Sequence, residues 1–200
     1  MKISRYVRIT PGSVVLDGTP LEIQGHGMEL LSGLYRSRKT DYPKFFKMDV
    51  LSKLGFMATE LLVAGDPDRF TPREDRAVLL VSRSGPLSDD LNYQKTIGED
   101  NYFPSPALFV YTLANIVTGE IAIRNKYEGD TTAFETEGFS PGMIFSLVRD
   151  AFEDRTTTSA VCGWVEAPSP DDFDCLLMLV AREDGRGLDF TEQEIQRLYR

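Results

Sequence analysis

Groups that could carry chemistry are few in this sequence. There are two cysteines, Cys162 and Cys175, and one histidine, His26. Each cysteine lies in an apolar run of strand character, so both read as buried, reduced thiols of a cytosolic protein. A thiol held in apolar surroundings is a poor nucleophile, because it must ionise to attack. His26 stands between Gly25 and Gly27 and reads as a loop residue rather than a base. Ser140 would need a base within hydrogen-bond reach, and nothing in the spacing brings His26 to it. Carboxylates fall close together as Asp89 with Asp90, Glu99 with Asp100, Glu135 with Glu137, and Asp171 and Asp172 with Asp174. Such pairs do acid–base work only in a desolvated cleft. These sit mostly in stretches that read as loops, so solvation is the expectation. Neither a CxxC pair nor a histidine cluster is present, and no metal or cofactor is expected.

These groups must be positioned by an alternating pattern of elements. Residues 3–9 alternate as a first strand. Residues 14–21 suit a small hairpin turning at Asp17-Gly18. Asp49 is a plausible cap for a helix whose apolar stripe is Val50, Leu54, Met57 and Leu61. Residues 76–82 form a nearly continuous apolar run, as a buried parallel strand should. Residues 84–102 are polar and without periodicity. The stretch 105–138 organises the rest: a helix begun by Pro104 and Pro106 with Leu108, Val110, Leu113, Ile116 and Val117 at helical spacing, then a Gly-containing turn and a buried strand that ends in a tight elbow. Within it, residues 130–134 are a short β-prone run. Thr136-Glu137-Gly138 then turns into an apolar helix over 139–152. Strands follow at 156–165 and 174–182. A last helix opens on Thr191 and Glu194 as a capping box. The order β, α, β, α, β, α, β, β implies an α/β fold.

The composition bounds the partners. Net charge is −9 with a sequence pI near 4.7, which argues against nucleic acid, since no basic face is there to release counterions. The start lacks the apolar core of a signal peptide, and no window approaches a membrane helix of about 18 apolar residues. A cytoplasmic location without membrane contact is therefore expected.

The stretch 105–138 resembles the nucleophile region of the β-ketoacyl-acyl-carrier-protein synthases, the ketosynthases of the thiolase-like fold. There a helix of the form "SP..FV..T..N...G" leads to a strand ending in Thr-Ala-Cys. Ser105, Pro106, Phe109, Val110, Thr112, Asn115, Val117, Gly119, Gly129 and Thr136 match it without a gap. The family's cysteine then falls on Gly138 and the alanine before it on Glu137. Elsewhere the likeness is patchier: "MD..S..A" at 48–53, Gly85 in place of a Gly-rich loop, and Cys162-Gly163-Trp164-Val165-Glu166 where the family reads "AGG.E". The resemblance runs over about residues 1–182.

It implies a thiolase-like half-fold: residues 1–200 as one domain like the N-terminal half of a ketosynthase, with a mostly parallel five-stranded sheet, crossover helices and an antiparallel edge strand. It also implies no catalytic residue at the elbow. Acyl transfer needs a thiolate at a helix head, and Gly138 supplies no side chain. Glu137 reads either as an exposed loop carboxylate or as an imitation of a charged nucleophile or a partner contact. Carried over from the family, Leu108, Phe109 and Thr112 would face a partner's acyl tunnel, although each also suits an ordinary core position. Arg36, Arg38, Lys39, Lys44 and Lys47 would offer a local basic dock for an acidic acyl carrier protein, or simply a solvated stretch flanking a helix. The resemblance favours a non-catalytic partner, akin to a chain length factor, forming a homo- or heterodimer with an active ketosynthase of fatty acid, polyketide or aryl-polyene-type biosynthesis. The alternatives are an acyltransferase with a relocated nucleophile and a carrier-protein binding module.

Overall fold

A computed structural model describes residues 1–98, 103–183 and 186–200. In chain order the elements are β1 (Lys2–Thr10), β2 (Ser13–Leu16), β3 (Thr19–Pro20), α1 (Met28–Ser37), a 3-10 turn (Pro43–Lys47), α2 (Val50–Leu62), β4 (Arg76–Ser82), α3 (Leu87–Gln94), α4 (Pro106–Phe109), a second 3-10 turn (Val110–Thr112), α5 (Ile116–Asn125), β5 (Thr131–Glu135), α6 (Pro141–Ala151), β6 (Ser159–Ser169), β7 (Asp172–Ala181), β8 (Leu188–Asp189) and α7 (Glu192–Tyr199). The expected pair of residues Glu99 and Asp100 lies outside the described residues.

The strands form one mixed eight-stranded sheet in the order β3-β2-β1-β7-β6-β4-β5, with β8 on β1. This corrects the expected five-stranded, mostly parallel sheet with an antiparallel edge. β4 is parallel to β5 and β6. β7 is antiparallel to both β6 and β1. Thus β1, β4, β5 and β6 point one way, and the reversed strand is inside the sheet. A short β6–β7 turn seats β7 beside β6, and β1 then closes on its far side. The hairpin of β2 and β3 extends the sheet beyond β1. It turns at Asp17 and Gly18, both at positive φ.

Helices cover both faces. Alternation in β4 sends Val78 and Leu80 to the face covered by α1, α2 and α5, and Ala77, Leu79 and Val81 to the face covered by α6 and α7. α2 is mostly apolar and buried at every position but Lys53. Each fully buried leucine on it, such as Leu54, contributes about 2 kcal/mol from area removed from water. Its N-terminus is capped as expected: Asp49 accepts from the backbone N–H of Leu51 and Ser52. Gly163, at φ +144° in β6, permits the close approach of β7. A Cβ there would lie 2.0 Å from the Leu176 carbonyl oxygen.

The region after Pro104 departs from the sequence expectation. α4 is a single turn, and Leu113 breaks the helix with extended backbone. The segments 106–112 and 116–125 meet at 97°. Gly119 lies inside α5, which runs on through Ile121 and Ile123. The strand expected in this stretch is β5, as the run 130–134 suggested, but it ends the sheet and its residues are exposed or half-buried rather than buried. The polar segment after Ser84 also holds a helix, α3. The capping box of α7 forms by half: Thr191 Oγ1 accepts from Glu194 N–H at 3.2 Å, while the Glu194 carboxylate pairs with Arg197. No single helix among the described residues is long and apolar enough to cross a membrane.

Candidate functional site

In sheets with parallel strands, the loops at the strands' carboxyl ends are where separate elements can meet in one cleft. Here the carboxyl ends of β4, β5 and β6 bring together Arg83 and Ser84, the elbow at Gly138, and Glu166. β5 ends at Glu135, and Thr136 N–H bonds to the Ser82 carbonyl at 2.9 Å. The Thr136 hydroxyl donates to the Gly138 carbonyl at 2.9 Å, which closes the elbow. Ser140 caps α6, its Oγ accepting from Met143 N–H at 3.3 Å, and Pro141 opens the helix. The elbow therefore leads into the positive end of an eleven-residue helix, as a nucleophile site requires.

Gly138 has no side chain, and a Cβ built on it would meet nothing within 4 Å. It opens on a recess of about 250 Å³ lined by Arg83, Phe139, Trp164, Glu166, Asp174 and Tyr199, among others. Glu166 is buried and fully engaged: Arg83 N–H donates at 2.7 Å, Ser84 N–H at 3.1 Å, and the Ser84 hydroxyl to the other oxygen. Phe139 stacks on Tyr199 with ring centres 3.6 Å apart and meets Trp164 edge-on. The Tyr199 hydroxyl donates to Asp174, which also pairs with Arg8. Burial, and then the Asp174 carboxylate, push the Tyr199 phenol up to about 12. It stays a donor and does not serve as a base near neutrality. Tyr199, Arg8 and Asp174 come from elements far apart in sequence, and no motif pointed to them.

Among the described residues, the two thiols, His26 and Ser140 bring no reactive group to the elbow. Cys162 and Cys175 are fully buried, as expected, on β6 and β7, and burial raises both thiols far above the ordinary range. His26 lies beside Gly12 in the loop before α1, and Ser140 Oγ is occupied as a cap. Glu137 is exposed at the elbow.

The remaining predicted residues fall on two surfaces. Leu108, Phe109 and Thr112 lie on α4 and the 3-10 turn after it. Leu108 and Thr112 are half-buried and Phe109 is 51% exposed. Around them Phe103, Val110 and Leu113 are exposed, as is Phe134 on β5, the strand at the end of the sheet. Tyr111 pins this segment inward by donating to Glu120 at 3.2 Å. The basic residues Arg36, Arg38, Lys39, Lys44 and Lys47 are all exposed. Lys44 Nζ also lies 2.7 Å from Glu120, a carboxylate with no exposed surface. The sequence could not foretell that pairing, because 76 residues and a helix break separate the two. Asp89, expected to be solvated with Asp90, is buried at 6% exposure. Glu135, Glu137, Asp171 and Asp172 are exposed as expected, and Asp174 is half-buried.

No protein-family model and no curated protein matches the sequence. Solved structures do match the fold. One is the ishigamide ketosynthase/chain length factor, at TM-score 0.65 and 16% identity over 92% of this chain and 63% of that one. A second is a ketosynthase (ApeO) in complex with its chain length factor (ApeC) from Xenorhabdus doucetiae, at 0.58 and 14% over 100% and 90%. A third is AntDE:AntF, a type II polyketide synthase acyl carrier protein in complex with its ketosynthase, at 0.57 and 12% over 90% and 62%. The chain thus spans under two thirds of the first and third of these. Its fold is similar to that of these ketosynthase and chain length factor structures.

Proposed function

We propose that this protein is a non-catalytic, chain-length-factor-like partner of an active ketosynthase in polyketide or aryl-polyene-type biosynthesis. One observation carries the reading. The elbow keeps the strand, turn and helix head of an acyl-transfer site, yet Gly138 offers no atom to acylate and nothing around it supplies a substitute. An acyltransferase with a relocated nucleophile would need an accessible thiol or a serine with a free base beside it; both thiols are buried, and the carboxylate beside Ser84, Glu166, is already held by the Arg83 and Ser84 backbone N–H groups. The likeness to structures of ketosynthases with their chain length factors supports the same reading.

The partner surface follows from exposure. β5 is hydrogen-bonded on one side only, by β4. The segment around α4 separately exposes Phe103 at 82%, Phe109, Val110 and Leu113. An unpaired strand edge and an exposed apolar stretch each favour association. In this reading Leu108, Phe109 and Thr112 face the partner and help to shape the space available to its growing chain.

Co-expression with a ketosynthase encoded beside it tests the proposal. The two should co-elute at a fixed ratio, and Phe109→Glu with Val110→Glu should separate them while leaving the circular dichroism unchanged. A protein that elutes alone, with product length unchanged by its presence, overturns the reading.

A further inference from the structure

The segment that carries Phe109 and Thr112 is too short to hold its own shape. α4 has four residues and the 3-10 turn after it three, and isolated helices of such length are marginal in water. Side-chain contacts fasten it on two sides. Ser105 N–H donates to Thr96 Oγ1 at 3.1 Å, and the Phe109 ring centre lies 5.6 Å from that of Tyr93. These tie the segment to α3 and the residues just after it. The bond from Tyr111 to Glu120 instead reaches across the 97° bend to α5. Tyr111 is buried while Phe109, Val110 and Leu113 around it are exposed, so its ring is drawn inward against the run of its neighbours.

Glu120 is held in turn by Lys44. Lys44 stands on the first 3-10 turn, where Phe45 is fully buried and stacks on Tyr35 with ring centres 4.5 Å apart. The ammonium is therefore delivered from a fixed post. Lys44 and Tyr111 both meet Glu120 Oε1. Oε2 is buried and has no hydrogen-bond partner, so among the described residues no third polar group steers this carboxylate. Burial first, then the Glu120 charge, raise the Tyr111 phenol far above its ordinary range, and it stays the donor of the pair. We propose that Glu120 is a positioning residue for the partner-facing segment. Anchored by Lys44, it draws Tyr111 inward, fixes the bend after Thr112 and thereby sets how far Phe109 and Thr112 project toward a partner's growing chain. The effect on product length rests on the proposed partnership; the positioning itself does not.

Hydrogen–deuterium exchange of the free, full chain, read by mass spectrometry, tests the positioning. Tyr111→Phe keeps the ring and removes only the hydroxyl. It should speed amide exchange over residues 107–113 about tenfold, the effect of losing one hydrogen bond to a charged group, and leave α2 and α6 unchanged. Lys44→Met should do at least as much, and Lys44→Arg, which keeps the cation, should retain the protection. Should Lys44→Met fail to fold, Tyr111→Phe decides. Co-expression with the ketosynthase tests the consequence. Tyr111→Phe should still co-elute with it and should broaden the range of product lengths, which a merely structural bond would leave alone. Unchanged exchange in Tyr111→Phe overturns the proposal, as does faster exchange with product lengths unaltered in an intact complex. If the unsubstituted protein fails to co-elute, the partnership falls, and exchange alone decides the positioning.

Discussion

Glu166 and Asp89 are both buried carboxylates at the edge of a recess, and they differ in what surrounds them. Glu166 sits where β4, β5 and β6 end and takes two backbone N–H groups and a hydroxyl. Asp89 sits where α3 meets α2, and one of its oxygens has no donor at all. The first acid serves its own chain, locking the 82–85 loop onto β6. The second carries a cost that the chain does not offset from its own groups. The loop at Glu166 is thus built on a satisfied buried charge, and the recess at Asp89 on an unsatisfied one.

Substitution should separate these roles, and the largest effect comes from a third buried acid that lies between them. Glu120 has no exposed surface and is held by Lys44 and Tyr111. Lys44→Ala strands its charge and should cost about 3 kcal/mol in urea unfolding. A near-neutral result would mean that Lys44 is free and open to a carrier protein. Glu166→Ala should cost about 2 kcal/mol, because it orphans the Arg83 and Ser84 N–H groups. Asp89→Asn should do the reverse and stabilise at pH 7.5 by about 2 kcal/mol. The Asp89 carboxyl is raised in the folded state to about 6 from 3.8. The folded protein therefore holds this proton longer than the unfolded chain, and stability falls as pH rises from about 4 to about 6. Asp89→Asn should flatten that part of the profile. If Glu166→Ala and Asp89→Asn shift stability in the same direction, the contrast is wrong.

The smallest expected effect is at the elbow itself. Gly138→Cys meets open space, so it should change stability by less than about 0.5 kcal/mol. It should nonetheless convert a protein inert to iodoacetamide under native conditions into one labelled once. Labelling of the unsubstituted protein at Cys162 or Cys175 would contradict their burial.

Much of this was legible in the sequence where a residue's neighbours decide its state. The apolar run of β4, the Asp49 cap, the Asp17-Gly18 turn, the elbow and the two buried cysteines are of that kind. What long-range contacts decide was not legible. Nothing local in residues 172–181 says that β7 lies between β1 and β6. The apolar spacing from 108 to 117 fits one helix, and Leu113 breaks it because Tyr111 must reach Glu120. Asp89 reads as a solvated neighbour of Asp90, since only the packing of a short polar helix on α2 buries one and exposes the other.

The placement of β7 also bears on how the chain reaches its folded state. β1 occupies the first ten residues, yet its main hydrogen-bonding neighbour, β7, is found more than 160 positions later. Until that segment is synthesised, β1 has only its own hairpin to hold. Closure over so long a span makes for slow, high-contact-order folding. A truncation ahead of residue 172 should accordingly yield a collapsed, protease-sensitive species, and refolding should be slow next to that of a helical protein of equal size.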